Sequence, residues 1–423
     1  MIKRTEATIT DKNNSTFRIA KGAPQVILSL VPRKESLRKQ VDKIIADFAI
    51  KGYRTLGVAM KRLNREWEYI GLLAMQDPPR DDSKETIQTA QAMGVKVKMI
   101  TGDHKNIAQE IAREVGLSTK IDTSDLLIDK QDKEVQQLVE NSDGFAEVFP
   151  EDKYRIVELL QRGNHIVGMT GDGVNDAPAL KKADAGIAVA GATDAAKSAA
   201  SLVITKPGIS VIIDAIKESR KIFQRMNNYA IYRITETIRV LIFLTLSIIV
   251  YNFYPITSVM VILLALLNDI PIMAIAYDNV LYSNEPERWN MRTVLGMSIF
   301  LGLIGVVFSF TFFYIGERVL HLNREMIQPL IYLKLSVAGH LTLFFTRTKG
   351  HFWSIRPSWI LFFAIIITQV MATFITVYGL FMPAIGWRLA LLVWGFALTA
   401  FLFTDLIKVP FYKLLISSLS STR

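Results

Sequence analysis

Apolar residues are concentrated in the second half of the chain, in repeated stretches of about twenty residues, the length that an α-helix needs to cross a bilayer. Buried helices of a large soluble protein do not account for six such stretches in succession. The fourth stretch is the weakest, because Lys334 and His340 interrupt it. We predict six transmembrane helices near 234–252, 256–276, 294–315, 331–346, 357–378 and 387–407.

The first half of the chain has the composition of a soluble domain, and its apolar runs are short. After residue 80, strand-like runs alternate with helical patterns, which is typical of an α/β fold with a parallel sheet. The predicted strands are 95–100, 145–149, 165–169, 186–190 and 202–205, and the predicted helices are 81–93, 104–115 and 151–162. A smaller region before them has a helical stretch near 34–50 and a strand-like run at 55–60.

Two prolines mark a boundary within this soluble half. Asp77-Pro78-Pro79-Arg80 predicts a rigid, extended hinge, because each proline fixes its own φ and restricts the residue before it. The predicted fold class is therefore α/β plus a membrane all-α region. The three predicted domains are residues 1–72, 73–215 and 216–423.

Composition and charge narrow the function classes. The 423-residue chain has no cysteine, which excludes disulfides and cysteine metal sites. Its net charge of +10 comes without the basic–aromatic pattern of RNA-binding proteins, so we expect no nucleic-acid partner. Basic residues cluster before the first span, between the fourth and fifth, and after the last, as in cytoplasmic loops. We predict a multi-pass protein of the lipid bilayer with both termini in the cytoplasm.

The heptapeptide Thr170-Gly171-Asp172-Gly173-Val174-Asn175-Asp176 is the most informative stretch of the chain. It follows a strand-like run and so places carboxylates and backbone N–H groups at the carboxyl edge of the sheet, where open parallel sheets bind ligands. Asp172 and Asp176 suit a hard cation such as Mg²⁺, which proteins hold with one or two carboxylates plus phosphate oxygens. A second strand-like run ends in Thr101-Gly102-Asp103, so a polar turn without function is the weaker interpretation.

One carboxylate lies deep within a predicted membrane span. Asp269, beside Asn268, is in the second span, and Arg239 in the first is its natural counter-charge. Ionisable residues at this depth are costly and usually functional, although an Asp–Arg pair that only joins two helices stays an alternative. Pro271 should interrupt the second helix near Asp269. Glu236 is expected nearer the interface, as a snorkelling residue.

Together these motifs resemble the carboxyl-terminal half of a P-type ATPase, over essentially the whole chain. The matching pieces are Lys21-Gly22-Ala23-Pro24, Asp77-Pro78-Pro79-Arg80, Thr101-Gly102-Asp103, Pro150 with Lys153, Thr170 through Leu180, and Leu267-Asn268-Asp269. Phe223-Gln224-Arg225-Met226 is most similar to the proton-pumping branch. The resemblance implies a plasma-membrane pump with an aspartyl-phosphate cycle, with ATP and Mg²⁺ as cofactors and H⁺ as the transported cation.

The resemblance also implies a fold and a role for each site residue. Residues 1–72 would be the carboxyl-terminal part of a nucleotide-binding domain, 73–215 an incomplete haloacid-dehalogenase-like Rossmannoid domain, and 216–423 a stalk with six transmembrane helices. Asp172 would bind Mg²⁺. The implied catalytic set is Thr101, Gly102, Asp103, Lys153, Asn175 and Asp176; the nucleotide would meet Lys21, Gly22, Arg54, Asp77 and Arg80; the ion pathway would contain Asp269, Asn268 and Arg239.

The chain departs from the family at one decisive point. The family's nucleophilic Asp lies in a short D-K-T-G-T motif, and this motif does not occur here. The actuator domain and the first four membrane helices also have no counterpart. The sequence is therefore expected to be a fragment, a mis-started reading frame, or one part of a split pump whose partner is the amino-terminal half. Alone, it is expected to be inactive as an ATPase.

Other functions stay open at this point. The pump could move Ca²⁺, Na⁺ or Mg²⁺. The chain could also be a membrane-anchored phosphatase, although the missing Asp counts against this, or a non-catalytic membrane-anchored partner that binds nucleotide. A single carboxylate near Arg239 favours a proton, because a calcium site needs about six oxygen ligands and the arginine would repel the ion.

Overall fold

The computed structural model describes residues 4–11, 16–32, 34–62, 65–127 and 132–420. By its internal contacts the chain divides into two compact units, Met1–Ala215 and Ile216–Arg423. The first unit contains all the strands among the described residues, and the second is helical.

The first unit begins with a four-stranded antiparallel sheet in the order β1-β2-β3-β4. Its elements are β1 (Arg4–Thr10), β2 (Thr16–Gly22), α1 (Pro24–Leu28), α2 (Lys34–Ile50), β3 (Arg54–Arg62) and β4 (Glu68–Met75). Ala20, Ile27 and Ala59 form a buried cluster that joins β2, α1 and β3. Strand β4 continues to Met75, so the domain boundary predicted at 72/73 falls inside this strand.

The rest of the first unit is an α/β region whose strands all pair in parallel. Its strands are β5 (Met99–Ile100), β6 (Ile121–Thr123), β7 (Gly144–Ala146), β8 (Gly168–Gly171), β9 (Ala185–Ala188) and β10 (Leu202–Val203). Its helices are α3 (Ser83–Ala92), α4 (Lys105–Glu114), α5 (Asp132–Asn141), α6 (Pro150–Arg162), α7 (Ala177–Lys182) and α8 (Asp194–Ala199). The pattern does not predict β6, because only Ile121 of its three residues is apolar.

The parallel strands form two three-stranded sheets, in the orders β10-β9-β8 and β5-β7-β6. Helix α6 packs against both, since Val157 belongs to the core beside β8 and β9, and Ile156 belongs to the core beside β7. Within the described residues β8 pairs only with β9, and β5 pairs only with β7. The α/β prediction is confirmed, and its sheet is divided into two parts that share α6.

The second unit contains six helices that are long and apolar enough to cross a membrane. They are α9 (Ser210–Tyr251), α10 (Ser258–Ala274), α11 (Met291–Tyr314), α12 (Arg324–Thr346), α13 (Trp359–Tyr378) and α14 (Gly386–Ser420). The predicted number of spans is confirmed for the part of the chain that the structure describes. The largest difference is α9, whose polar first turns extend the helix well before the apolar run predicted at 234–252.

Helix α12 is the most enclosed of the six. In its most apolar window 83% of the residues are buried, whereas the highest value for any other span is 44%. Lys334 and His340 are both buried. The two residues that weaken the hydropathy of this span therefore face the inside of the unit, where other side chains can solvate them.

Pro271 does not interrupt α10, contrary to the prediction. The helix continues to Ala274 and passes into a short 3₁₀ turn. A proline has no N–H, so the carbonyl of Leu267 loses its helical donor, and membrane helices tolerate this where a neighbour supplies a partner. Here the His340 ring of α12 interacts with that carbonyl.

Candidate functional site

Asp176 organises the loop that follows β8. Its Oδ1 accepts a hydrogen bond from Lys153 Nζ at 2.6 Å. Its Oδ2 accepts from the backbone N–H groups of Asp172 and Gly173 at 3.2 and 3.1 Å. Asp176 is buried, and Lys153 lies in the first turn of α6. The carboxylate therefore closes the loop on itself and fixes the Lys153 ammonium beside it.

The hydrogen bonds of Asp176 decide its charge. Burial alone would raise the pKa of this carboxyl. The hydrogen bond from Lys153 and those from the two backbone N–H groups stabilise the charged form, and together they hold the pKa of Asp176 below its ordinary value. The carboxylate is therefore ionised at neutral pH.

We expect Asp176→Asn to destabilise the chain by about 2 kcal/mol at neutral pH, because Lys153 loses its carboxylate. A carboxyl with a lowered folded-state pKa stabilises the fold above its unfolded value, ordinarily 3.8, and this contribution disappears as pH falls through the folded value. The difference between parent and variant should therefore shrink below about pH 4. Denaturant titration of the solubilised chain at neutral and acidic pH measures it. A difference that does not change with pH would contradict the assignment.

The closed loop leaves no room at Gly171. A Cβ placed there would lie 2.5 Å from the Cβ of Asp176, whereas a Cβ on Gly168, in the same strand, would meet nothing closer than 3.9 Å. We expect Gly171→Ala to cost about 1–3 kcal/mol through overpacking. Gly168→Ala serves as the matched control and should cost less. Equal losses in thermal unfolding would argue against the close contact.

The Thr101-Gly102-Asp103 turn follows β5 of the second parallel sheet. The Thr101 hydroxyl accepts a hydrogen bond from the N–H of Asp103 at 3.1 Å. The carbonyl of Asp103 accepts from the N–H of Glu147 at 2.9 Å, and Glu147 has a φ of +57°, which non-glycine residues rarely adopt. The side chain of Asp103 forms an ion pair with Arg54 of β3. Arg54, which is predicted to bind nucleotide, thus contacts Asp103, which is predicted to belong to the catalytic set.

Asp172 and Asn175 are exposed at the carboxyl end of β8. Among the described residues neither side chain has a hydrogen bond or an ion pair. Asp172 therefore offers a free carboxylate, whereas that of Asp176 is occupied by Lys153. This fits one protein ligand of a Mg²⁺ site, because Mg²⁺ takes one or two carboxylates together with phosphate oxygens and water. A complete set of three or more acidic, histidine or cysteine ligands does not occur in the described part of the chain.

The remaining residues predicted to bind nucleotide lie in two other places. Lys21 and Gly22 end strand β2, and Asp77 and Arg80 lie in the segment after β4. The side chains of Lys21, Asp77 and Arg80 are exposed. No hydrogen bond or ion pair between described residues joins them to the loop after β8, and their role stays a prediction.

The prediction that Arg239 is the counter-charge of Asp269 is wrong in this structure. Arg239 is buried, and its Nη2 lies 2.6 Å from Oε1 and 2.5 Å from Oε2 of Glu236, one turn earlier on α9. Residues three apart on a helix share a face, so Glu236 is a nearer partner than any residue of another helix. The prediction that Glu236 snorkels is also wrong, because this side chain is buried.

The two other residues of the predicted ion pathway lie on α10. Asp269 is exposed and forms no ion pair with any described residue. Asn268 is buried, and its Oδ1 has no hydrogen-bond donor in the described ranges. The Asn268 Oδ1 atom and the Asp269 carboxylate, both on α10, are therefore available to other groups.

Sequence reasoning missed two polar clusters of the second unit. Asp278 forms a bidentate ion pair with Arg347 at the end of α12, with Nε–Oδ2 and Nη2–Oδ1 distances of 2.6 and 3.1 Å. Within the bundle, His340 lies 3.0 Å from Thr368 and 2.5 Å from Gln369, both on α13. For the His340 cluster the available signal was the occurrence of polar residues inside apolar spans, which marks interior faces. Asp278 and Arg347 lie just outside the spans, and the sequence alone did not pair them.

Comparison with protein families supports the description of the first unit. A family profile described as haloacid dehalogenase-like hydrolase matches residues 4–184. A second profile of the same description matches residues 153–216. Together they cover the loops after β5 and β8, so the first unit carries a haloacid-dehalogenase-like domain.

Known proteins match nearly the whole chain. A Methanocaldococcus jannaschii protein named as a cation-transporting ATPase is 50% identical over 420 residues, 98% of this chain and 52% of that protein. The plasma membrane ATPase of Kluyveromyces lactis is 42% identical over 389 residues, 89% of this chain and 43% of its own length. Plasma membrane ATPase 1 of Saccharomyces cerevisiae is 41% identical over 389 residues, with 89% and 42% covered. The chain spans about half the length of these relatives. Its haloacid-dehalogenase-like domain, its six apolar helices and these similarities show that the chain belongs to the P-type ATPase family.

Proposed function

We propose that the chain is the carboxyl-terminal portion of an ATP-driven cation pump that exports H⁺ across the plasma membrane. The observation that carries this proposal is the loop after β8, in which Asp176 fixes Lys153 and leaves the Asp172 carboxylate free. Phosphoryl transfer depends mainly on positioning and on neutralising the charge of the transferred group. This loop supplies a fixed cation and a free metal ligand at one edge of a parallel sheet.

The proposed roles are those that the resemblance to P-type ATPases implies, and the geometry of the loop after β8 supports those of Lys153 and Asp176. Asp172 would hold Mg²⁺, which when bound neutralises phosphate charge. The Thr101 hydroxyl and the Asn175 amide would face the phosphate oxygens, and Lys153 would oppose their charge while Asp176 keeps it in place. ATP would be bound by the residues of the amino-terminal sheet and hinge, Lys21, Gly22, Arg54, Asp77 and Arg80.

The phosphorylated Asp would come from a segment outside this chain, the amino-terminal half of the pump. The divided sheet supports this, because β8 and β5 each have only one partner among the described strands while α6 packs against both sheets. One further parallel strand between β8 and β5 would satisfy both free edges. Its carboxyl end would lie beside Asp172 and Thr101, where an attacking carboxylate is needed.

An exposed face of α10 also supports the proposal that a further part of the pump packs against this chain. Four exposed residues recur along it at helical spacing: Ile262, Leu266, Asp269 and Met273. A carboxylate that faces lipid is costly, and such residues normally face a protein interior or a water-filled cavity. We infer that further helices of the pump cover this face and enclose Asp269.

Asp269 is proposed as the group that takes up and releases the proton, with Asn268 beside it. Arg239 stays a proposed residue of the ion pathway, and Glu236 neutralises its charge in this structure. The basic residues that flank the spans support cytoplasmic termini.

Transport by a reassembled pump tests the proposal. The chain is co-expressed with the part of the M. jannaschii relative that lies outside the matched region, and sealed vesicles are supplied with ATP and Mg²⁺. We expect ATP-dependent acidification, and we expect Asp269→Asn to reduce it about 100-fold or more, as loss of a proton-transfer group does.

Glu325→Gln is the matched control, because Glu325 is an exposed carboxylate in the first turn of α12. It should acidify vesicles at the parent rate. If Asp269→Asn acidified the vesicles at the parent rate, Asp269 would not be the proton carrier. If the ATPase activity required Ca²⁺ or Na⁺, that cation and not H⁺ would be the transported ion.

A further inference from the structure

The second unit contains a cavity of about 40 Å³ between α9, α11, α12 and α14. A buried water needs roughly 10–15 Å³ by this measure, so the cavity has room for more than one water-sized species. Its charged lining residues are Arg239 and Lys334, and its described lining contains no carboxylate. Lys334 lies near the middle of α12, far from either end of this span.

The two basic side chains on this cavity have one carboxylate, Glu236, between them. Glu236 pairs with Arg239 and neutralises one of the two cations. The side chain of Lys334 is buried and contacts the hydroxyl of Ser309, which itself donates to a backbone carbonyl at 2.7 Å. Among the described residues no carboxylate forms an ion pair with Lys334. A buried charge without a counter-charge is far more costly than a paired one.

Arg239 has a donor left over on the same cavity. Its Nη1 donates to Thr342 at 3.3 Å and its Nη2 donates to Glu236, but its buried Nε has no acceptor among the described groups. A buried guanidinium N–H without an acceptor is rare and costly. The described lining of the cavity thus has two basic side chains, an unused N–H and no carboxylate.

Two glycines shape the site around Arg239. A Cβ on Gly305 of α11 would lie 2.6 Å from Cδ of Arg239, and a Cβ on Gly339 of α12 would lie 3.1 Å from Oε1 of Glu236. The backbones of both helices therefore approach the ion pair as closely as sterics permit. This close approach holds the Arg239 side chain against α11 and α12 beside the cavity.

We propose that this cavity is a binding site for a small inorganic anion of the halide type. The anion accepts hydrogen bonds from Lys334 Nζ and Arg239 Nε, and its negative charge stabilises the ammonium form of Lys334. Water would fill the volume but would not supply a counter-charge. The site shares Arg239 with the proposed ion pathway, but its test measures anion binding and does not require a working pump.

The probe is chloride. Thermal unfolding of the full chain in detergent is compared in sodium chloride and in sodium gluconate at equal ionic strength. We expect chloride to raise the unfolding midpoint by about 3 °C or more, in a saturable way, as a ligand that binds only the folded state does. Lys334→Met should abolish the chloride dependence. Lys413→Met, which removes an exposed lysine of the same unit, should retain it.

Bromide provides a second readout that does not depend on a variant. In crystals grown with bromide, an anomalous peak is expected in contact with Lys334 and Arg239. Equal midpoints for the parent chain in chloride and gluconate would overturn the proposal and leave the cavity to water. A chloride effect that persists in Lys334→Met, or a bromide peak only at the protein surface, would overturn it as well.

Discussion

Incubated with γ-labelled ATP, the chain alone is expected to acquire no acid-stable, hydroxylamine-sensitive phosphate. An acyl phosphate needs an attacking carboxylate in line with the γ-phosphoryl group. The D-K-T-G-T motif does not occur in the sequence, Asp176 is held by Lys153, and Asp103 is paired with Arg54. Asp172 is free, but in the proposed site it is the metal ligand.

The same labelling assay is repeated with the amino-terminal half of the pump present, and here labelling is expected. Labelling should appear when the part of the M. jannaschii relative outside the matched region is co-expressed, and Asp172→Asn should lower it about 100-fold. Asp194→Asn is the control, because Asp194 is a fully exposed carboxylate of the same unit. Labelling of the chain alone would show that a carboxylate of this chain is the nucleophile. Labelling that is unchanged in Asp172→Asn would remove the proposed metal ligand.

Much of the soluble site could be predicted because its signal is local. An apolar run followed by a Gly- and Asp-rich turn predicts the carboxyl end of a strand, and β5 and β8 both end in this way. The resemblance to a known family places Lys153 and Asp176 in one catalytic set, and the structure pairs them. The ion pair between Arg54 and Asp103 could not be predicted from local pattern, because 49 residues separate the partners. The division of the parallel strands into two sheets also could not be predicted from local pattern, because it depends on which strands pair.

The membrane spans could be predicted from length and hydropathy, but the faces of these helices could not. Hydropathy averages around the helix, so it treats Lys334 as an interruption, whereas the structure buries it as part of an interior face. The same averaging hides which acid reaches Arg239. Glu236 and Asp269 are both plausible by charge, and only the positions of their side chains decide for Glu236.

Arg239→Met is expected to be among the most destabilising single substitutions in the second unit, with a loss of about 3–5 kcal/mol, because it leaves the buried carboxylate of Glu236 without its partner. It also removes the hydrogen bonds from the guanidinium to Thr342 and to the carbonyl of Leu335. Methionine has a similar length and fits between Gly305 and Gly339, so the loss would reflect charge more than packing.

The double variant Glu236→Gln/Arg239→Met separates these two causes. Removing both charges of a buried pair is far less costly than removing one, so the double variant should recover most of the stability lost in Arg239→Met, as measured by denaturant unfolding in detergent. If Arg239 were instead paired with Asp269, then Glu236→Gln would bring no recovery and Asp269→Asn/Arg239→Met would. The two double variants therefore distinguish a structural Glu–Arg pair on α9 from a direct coupling to the proposed proton carrier on α10. Recovery in neither would mean that the guanidinium acts mainly through its hydrogen bonds to α12.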